Sequence, residues 1–184
     1  MSPVQRELYC RYNDIIIVDT TYNTNWFQMM LCIIAVVNSN YKTRLVICTI
    51  IEDETLDTYW WIFDTILIET GIFPRIIFTD SDPSMIRSIK EIYPNTKHLL
   101  CIFHIDLNFQ KKLKEKLDNK FKEFHHKFYV CRNSLCKDLF EIYWNQLLNQ
   151  YSAALKYLSD IPYINKESWA ISWIHKLFTT EAQS

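Results

Sequence analysis

Apolar residues fall along this chain in two patterns. Up to about residue 103 they come in short runs, solid or alternating. Beyond that they recur every three or four positions. Residues 14–20 read as a buried strand, FQMMLCIIAVVN (27–38) as a second and TRLVICTII (43–51) as a third, rich in β-branched residues. Asn38-Ser39-Asn40-Tyr41-Lys42 has the composition of a hairpin turn. From Glu52 to Gly71 the apolar positions Leu56, Trp60, Phe63 and Leu67 keep helical spacing, and Gly71 marks a stop. RIIFTD (75–80) predicts a short buried strand, and Asp82-Pro83 caps a helix running to about Tyr93. HLLCIF (98–103) reads as a fifth strand. Helices are then expected over 104–129, 135–158 and 166–178, broken near Asn133-Ser134 and Pro162.

The order is therefore β-β-β-α-β-α-β followed by helices. A three-strand meander with strand-helix-strand crossovers predicts an α/β fold. The sheet is mixed and five-stranded, in the ribonuclease-H-like arrangement, with an all-helical tail. The expected divisions are a lead at 1–13, the core at 14–110 and a helical insertion at 111–184. Crossover handedness puts the first and fourth strands side by side and parallel.

Composition narrows the class. Hydrophobic residues are 49% of the 184 and aromatics 15%, with one glycine, which fits a packed globular chain and not a linker. The net charge of −1 points to no nucleic-acid partner by itself. Its distribution is uneven: residues 1–103 hold 8 Lys/Arg against 12 Asp/Glu, and residues 104–184 hold 12 against 9. An acidic first part beside a mildly basic second part permits a cation site next to a cationic surface. The six cysteines form no CxxC pair, which suits a reducing compartment. No apolar stretch approaches the ~18 residues of a membrane span, so the expectation is an intracellular protein with no membrane partner.

Asp19 ends the first strand and Asp80 ends the fourth. A lone Asp in such a place is ordinarily a turn residue or a helix cap, and Asp82 has that role here. If the two strands are neighbours, however, Asp19 and Asp80 meet at one sheet edge, and paired carboxylates repel unless a cation lies between them. Mg²⁺ takes oxygen ligands and keeps waters, and two such ions ~4 Å apart clamp an in-line phosphoryl displacement.

Four stretches then resemble the Mutator-like (MULE) transposase domain family in order and spacing. They are DTTYNTNWFQMMLCIIAVVN, EDET with the aromatic helix YWWIF, IIFTDSDPSM, and HLLCIFHIDLN. The same domain occurs in far-red-impaired-type transcription factors. The resemblance implies a DNA transposase with an Asp-Asp-Glu triad that cleaves and joins DNA with Mg²⁺ or Mn²⁺ and no small-molecule cofactor. Asp19 and Asp80 would be the first two catalytic, metal-holding carboxylates. It also implies a nuclear site of action, after passage through the cytoplasm, with transposon ends and target DNA as partners. A homo-oligomer is left open. In the family the third carboxylate follows the helical insertion, in a segment with Ser/Thr-Gln-Arg-x-Glu. Glu181 comes several residues too early and reads as an ordinary polar residue. The expectation is a chain that stops at Ser184 short of that Glu, a fragment or decayed copy. The alternative is a catalytically inactive, transposase-derived protein that binds DNA or a transposase subunit.

Cys101 and His104 have metal-like spacing, but they supply only two of the four ligands of a structural zinc. His98, His125, His126, Cys131 and Cys136 add no convincing finger spacing, and His125 and His126 read as a solvated helix face. The resemblance keeps Cys101, His104 and Asn108 as motif residues supporting the active centre. KKLKEKLDNKFKEF (111–124) reads as one basic amphipathic helix with Leu113, Leu117, Phe121 and Phe124 on one face. Lys111, Lys112 and Lys114 are then candidate phosphate contacts, although a solvated face is the simpler reading. Trp60, Trp61, Trp144 and Trp169 are expected in the core.

Overall fold

The structure is a computed structural model. It describes residues 1–21, 26–27, 29–160 and 162–179, of which Thr179 only in its backbone. Glu181 and the Tyr22–Asn25 part of the first motif lie outside the described residues. The chain divides into two compact units, Met1–Leu100 and Cys101–Ser184.

In the first unit a helix, α1 (Pro3–Arg11), precedes strands β1 (Ile15–Thr21), β2 (Met30–Val37) and β3 (Thr43–Ile51). Helix α2 (Leu56–Thr70), strand β4 (Ile76–Thr79), helix α3 (Pro83–Ile92) and strand β5 (Lys97–Leu100) follow. The sheet order is β3-β2-β1-β4-β5, with β1 antiparallel to β2 and parallel to β4. This is the mixed ribonuclease-H-like sheet that the element order predicts.

Alternation along the strands sorts side chains between the two faces. Ile16 and Val18 of β1, Cys32, Ile34 and Val36 of β2, and Val46 of β3 are buried in one cluster with Tyr59, Ile62, Phe63 and Ile66 of α2 and Met85 and Ile89 of α3. Ile17 and Asp19 belong to the opposite face and are half-buried.

Local chemistry explains the boundaries. Thr55 caps α2, and Gly71 ends it in the left-handed region at φ 67, its N–H donating to Leu67 O. Asp82 caps α3, with Pro83 in its first turn. The turn after β2 closes on Asn38, whose side-chain oxygen accepts from the N–H groups of Asn40 and Lys42.

Several expectations need correction. The 1–13 stretch is no lead. Ser2 and Gln5 form a reciprocal capping box with Pro3 behind it, and α1 carries Tyr9 into the core at 1% exposure. The boundary expected at 110 falls inside helix α4 (Ile102–Leu117), which runs unbroken across it. The fifth strand ends at Leu100, and its expected last residues instead start α4, because a short apolar run looks alike in a strand end and a helix start. On α2 the buried stripe is Tyr59, Ile62, Phe63 and Ile66, while Trp60 and Trp61 are 43% and 58% exposed. Both stripes satisfy a 3.6-residue period, so the sequence left the rotation of the helix ambiguous.

The second unit holds α4, α5 (Phe121–Arg132), α6 (Lys137–Gln150), α7 (Leu155–Asp160), α8 (Ile171–Ile174) and α9 (Lys176–Thr179). The single helix expected over 104–129 is two. Asp118 adopts φ 44, and a 3-10 turn at Asp118–Lys120 separates α4 from α5. Asp and Asn tolerate positive φ better than most residues, and Asp118-Asn119 was the available signal. The break lets Phe109 of α4 meet Phe124 and Phe128 of α5, with ring centroids 5.5 and 4.6 Å apart. Trp144 and Trp169 are buried at 1% exposure each, as expected.

Candidate functional site

β1 and β4 run in the same direction, so their carboxyl ends lie at the same sheet edge. The chain builds β1, β2 and β3 to one side and then crosses to β4 on the other, which makes this edge a topological switch point. The register pairs Ile17 with Phe78. Two residues further along come Asp19, still within β1, and Asp80, one residue past the end of β4. Both predicted site carboxylates thus come at the carboxyl ends of two adjacent parallel strands.

Each is held by its surroundings. Thr79, fully buried, donates from Oγ1 to the carbonyl of Asp80 at 2.6 Å. His98 Nε2 lies 2.8 Å from the same hydroxyl. Because the Thr79 proton is already used, His98 is the donor of that bond and is neutral with its proton on Nε2. Asp80 Oδ1 accepts from the N–H of Asp82 at 3.1 Å, and Asp82 Oδ1 accepts from the N–H of Met85 at 2.8 Å. Asp19 is itself within β1, where it pairs with Ile33 of β2.

Sequence reasoning noted the EDET block but gave it no role. In the structure Tyr59 OH donates to Glu54 Oε1 at 3.0 Å and stands 3.4 Å from Thr20 Oγ1, the neighbour of Asp19. Burial pushes the Tyr59 phenol well above its ordinary value, so it stays a neutral donor. Asp53 Oδ1 accepts from the N–H and hydroxyl of Thr55 and the hydroxyl of Thr58, and those bonds hold its carboxyl below the usual range. The block thereby ties the start of α2 to the end of β1.

Burial lowers the His98 imidazole to about 4, with Lys97 adding to the effect. The unfolded chain binds the proton at its ordinary value, so this contribution to stability is complete above about 6.5. It is lost as pH falls toward 4. Urea midpoints should therefore drop between pH 7 and pH 4.5, and His98→Gln should flatten that drop. An equally steep drop in His98→Gln would count against this account.

Within the second unit, Cys101 begins α4 as its cap residue, without a capping side-chain bond. Burial alone would raise its thiol. The neighbouring His104 imidazole and the backbone N–H groups at the start of α4 favour the thiolate enough to outweigh burial and lower it. Cys101 should alkylate faster at pH 7 than the exposed Cys10 and Cys136, and His104→Ala should slow it; iodoacetamide labelling followed by peptide mapping measures both. His125 is not a plainly solvated residue: its Nε2 bonds Asp106 Oδ1 at 2.5 Å, joining α5 to α4. His126 is exposed, as are Lys111, Lys112 and Lys114 on the outer side of α4, whose buried side is Phe109, Leu113 and Leu117. Asn108 is half-buried.

Among the described residues no group of three or more His, Cys, Asp or Glu is arranged to hold a metal ion. Two carboxylates at the ends of adjacent strands still fit a hydrated divalent ion, because Mg²⁺ is commonly held by one or two carboxylates plus waters and substrate phosphates. The turn bond to Asp80 does not prevent this, since a carboxylate has about four acceptor positions.

The sequence model of the MULE transposase domain matches residues 15–108, which covers every element from β1 into α4. Among curated proteins of Arabidopsis thaliana, Protein FAR-RED IMPAIRED RESPONSE 1 is 26% identical over 176 residues, covering 93% of this chain and 19% of that protein. Protein FAR1-RELATED SEQUENCE 5 is 27% identical over 175 residues, covering 92% and 22%. The chain thus spans about a fifth of the length of these relatives. A solved structure of the HTLV-2 integrase catalytic core domain in complex with magnesium aligns over 61% of this chain and 83% of its own. It does so at 19% identity and a TM-score of 0.36. No helix of the described residues is long and apolar enough to cross a membrane.

Proposed function

Since the chain belongs to the MULE transposase domain family, we propose that it is the core of a DNA-processing transposase or transposase-derived protein acting in the nucleus. Asp19 and Asp80 hold Mg²⁺ or Mn²⁺ at the sheet edge. The single observation that supports this reading is the parallel β1–β4 pairing, whose strands end near Asp19 and Asp80. Bound there, the ion supplies charge stabilisation for displacement at a DNA phosphodiester. The chain's own part is positioning. β1 and β4 fix the two carboxylates, the Thr79–His98 pair fixes the backbone at Asp80, and Lys111, Lys112 and Lys114 contact phosphates without reading sequence. Cleavage and strand transfer, as the family carries them out, call for a third carboxylate beside these two.

A second reading is a DNA-binding relative that does not cut. The exposed lysines of α4 favour it. Mn²⁺ binding followed by electron paramagnetic resonance, paired with DNA mobility shifts, separates the two. The first reading expects Mn²⁺ binding that Asp19→Asn removes. The second expects DNA binding that is indifferent to Mn²⁺ and to Asp19→Asn. If the chain binds neither ion nor DNA, both readings fail.

A further inference from the structure

β3 stands at one end of the sheet order, so its outer backbone edge pairs with no strand among the described residues. Exposed edges are ordinarily blunted by charge, proline or shortness. The other end, β5, is four residues long and begins with an exposed Lys97. β3 is nine residues long, and from Leu45 to Ile51 it has neither charge nor proline. Leu45 is 48% exposed, Ile50 is 58% exposed, and Cys48 is exposed between them. A groove runs along this edge beside α2, lined by Ile47, Cys48, Thr49, Trp61, Thr65 and Met1.

Along β3 itself the charges sit at its two ends, while Glu69 of α2 lines the groove beside its middle. Lys42 and Arg44 flank or begin it, Glu52, Asp53 and Glu54 follow it, and no Lys or Arg occurs between Arg44 and Arg75. We propose that this edge docks a second copy of the chain, β3 against β3, antiparallel about a twofold axis at Cys48. That arrangement brings the basic end of each strand to the acidic end of the other. A parallel arrangement would set like charges together.

The side chains agree with this register. β3 carries an extra residue, Val46, because Ile34 pairs with Ile47 while Ala35 pairs with Leu45. A straight partner strand then meets Leu45 opposite Ile50, and Cys48 opposite Cys48. An axis perpendicular to the sheet keeps matching faces together, so the exposed apolar residues of the two copies are buried on one another and each Trp61 lies beside the seam. One such edge per copy closes the assembly as a dimer.

Sedimentation of the 184-residue chain across micromolar concentrations should show a monomer–dimer equilibrium. A bis-maleimide should join Cys48 to Cys48 by peptide mapping, and Cys48→Ser should lose the crosslink but keep the dimer. In this register Lys42 falls opposite Asp53, so Lys42→Glu should weaken dimerisation roughly tenfold or more, as like charges meet across the seam. Lys42→Arg, which keeps the charge, should leave the dimer unchanged. A chain monomeric at every concentration overturns the proposal. So does a dimer that is untouched by Lys42→Glu and crosslinked through Cys10 or Cys136, and so does equal weakening by Lys42→Arg. The readout is assembly, so it stands or falls separately from metal binding.

Discussion

Asp80→Asn should abolish Mn²⁺ binding while leaving the fold intact. The substitution is a clean one because of the turn at this position. Asp80 Oδ1 accepts from the N–H of Asp82, and an Asn side-chain oxygen accepts the same bond. The Thr79 hydroxyl reaches the backbone carbonyl of residue 80, which the substitution does not touch. What Asn lacks is the negative charge that holds a divalent ion. Asp82→Ala is the opposite case. It removes the cap of α3, at a cost of about 1 kcal/mol, and removes no proposed ligand. Thermal melts alongside Mn²⁺ titrations of the two variants distinguish them. Asp80→Asn should melt like the parent and bind no ion; Asp82→Ala should melt lower and bind normally. If Asp80→Asn binds Mn²⁺ like the parent, Asp80 is a turn residue and the metal reading is wrong.

That comparison also shows what the sequence made legible. Asp19 and Asp80 could be singled out because each closes an apolar run, and because the order of strands and helices dictates which strands are neighbours. Period-two alternation then decides which side of the sheet each faces. The props behind them were not legible. The Thr79–His98 bond joins residues on different strands, and it depends on the β4–β5 register, which no local pattern specifies. The Tyr59–Glu54 bond depends on the rotation of α2, and an aromatic-rich helix offers two equally periodic faces. The sequence reading chose the face with Trp60 when the core took Tyr59. Helix α1 was legible and overlooked: Ser2-Pro3-Val4-Gln5 is a capping box with proline in the first turn. The break at Asp118 depends on tertiary packing, since the lysine-rich stretch on either side would sustain a helix alone.

That packing is the basis for the largest stability effect expected of any single side chain here. Phe128 is fully buried in the second unit, where its ring meets Phe109 at 4.6 Å, Trp169 at 5.3 Å and Trp144 at 6.5 Å between centroids. It therefore joins α4, α5, α6 and the segment before α8. Phe128→Ala would leave a cavity that three large rings cannot fill without leaving their own contacts. The expected cost is about 3–5 kcal/mol, the range for truncating a buried aromatic. Against a total of roughly 5–15 kcal/mol for a domain, that loss is enough to unfold much of the population at moderate denaturant. Trp144, Trp169 and Trp173 report on this unit by fluorescence, so urea titration gives the measurement directly. Phe103→Ala is the control, because Phe103 is 61% exposed and its loss should stay within about 0.5 kcal/mol. The ordering follows from the fold at Asp118: only when α5 turns back on α4 does Phe109 reach Phe128. A Phe128→Ala protein within 1 kcal/mol of the parent would mean that α4 and α5 do not pack through these rings, and that the lysine-rich stretch is the single long helix its sequence suggests.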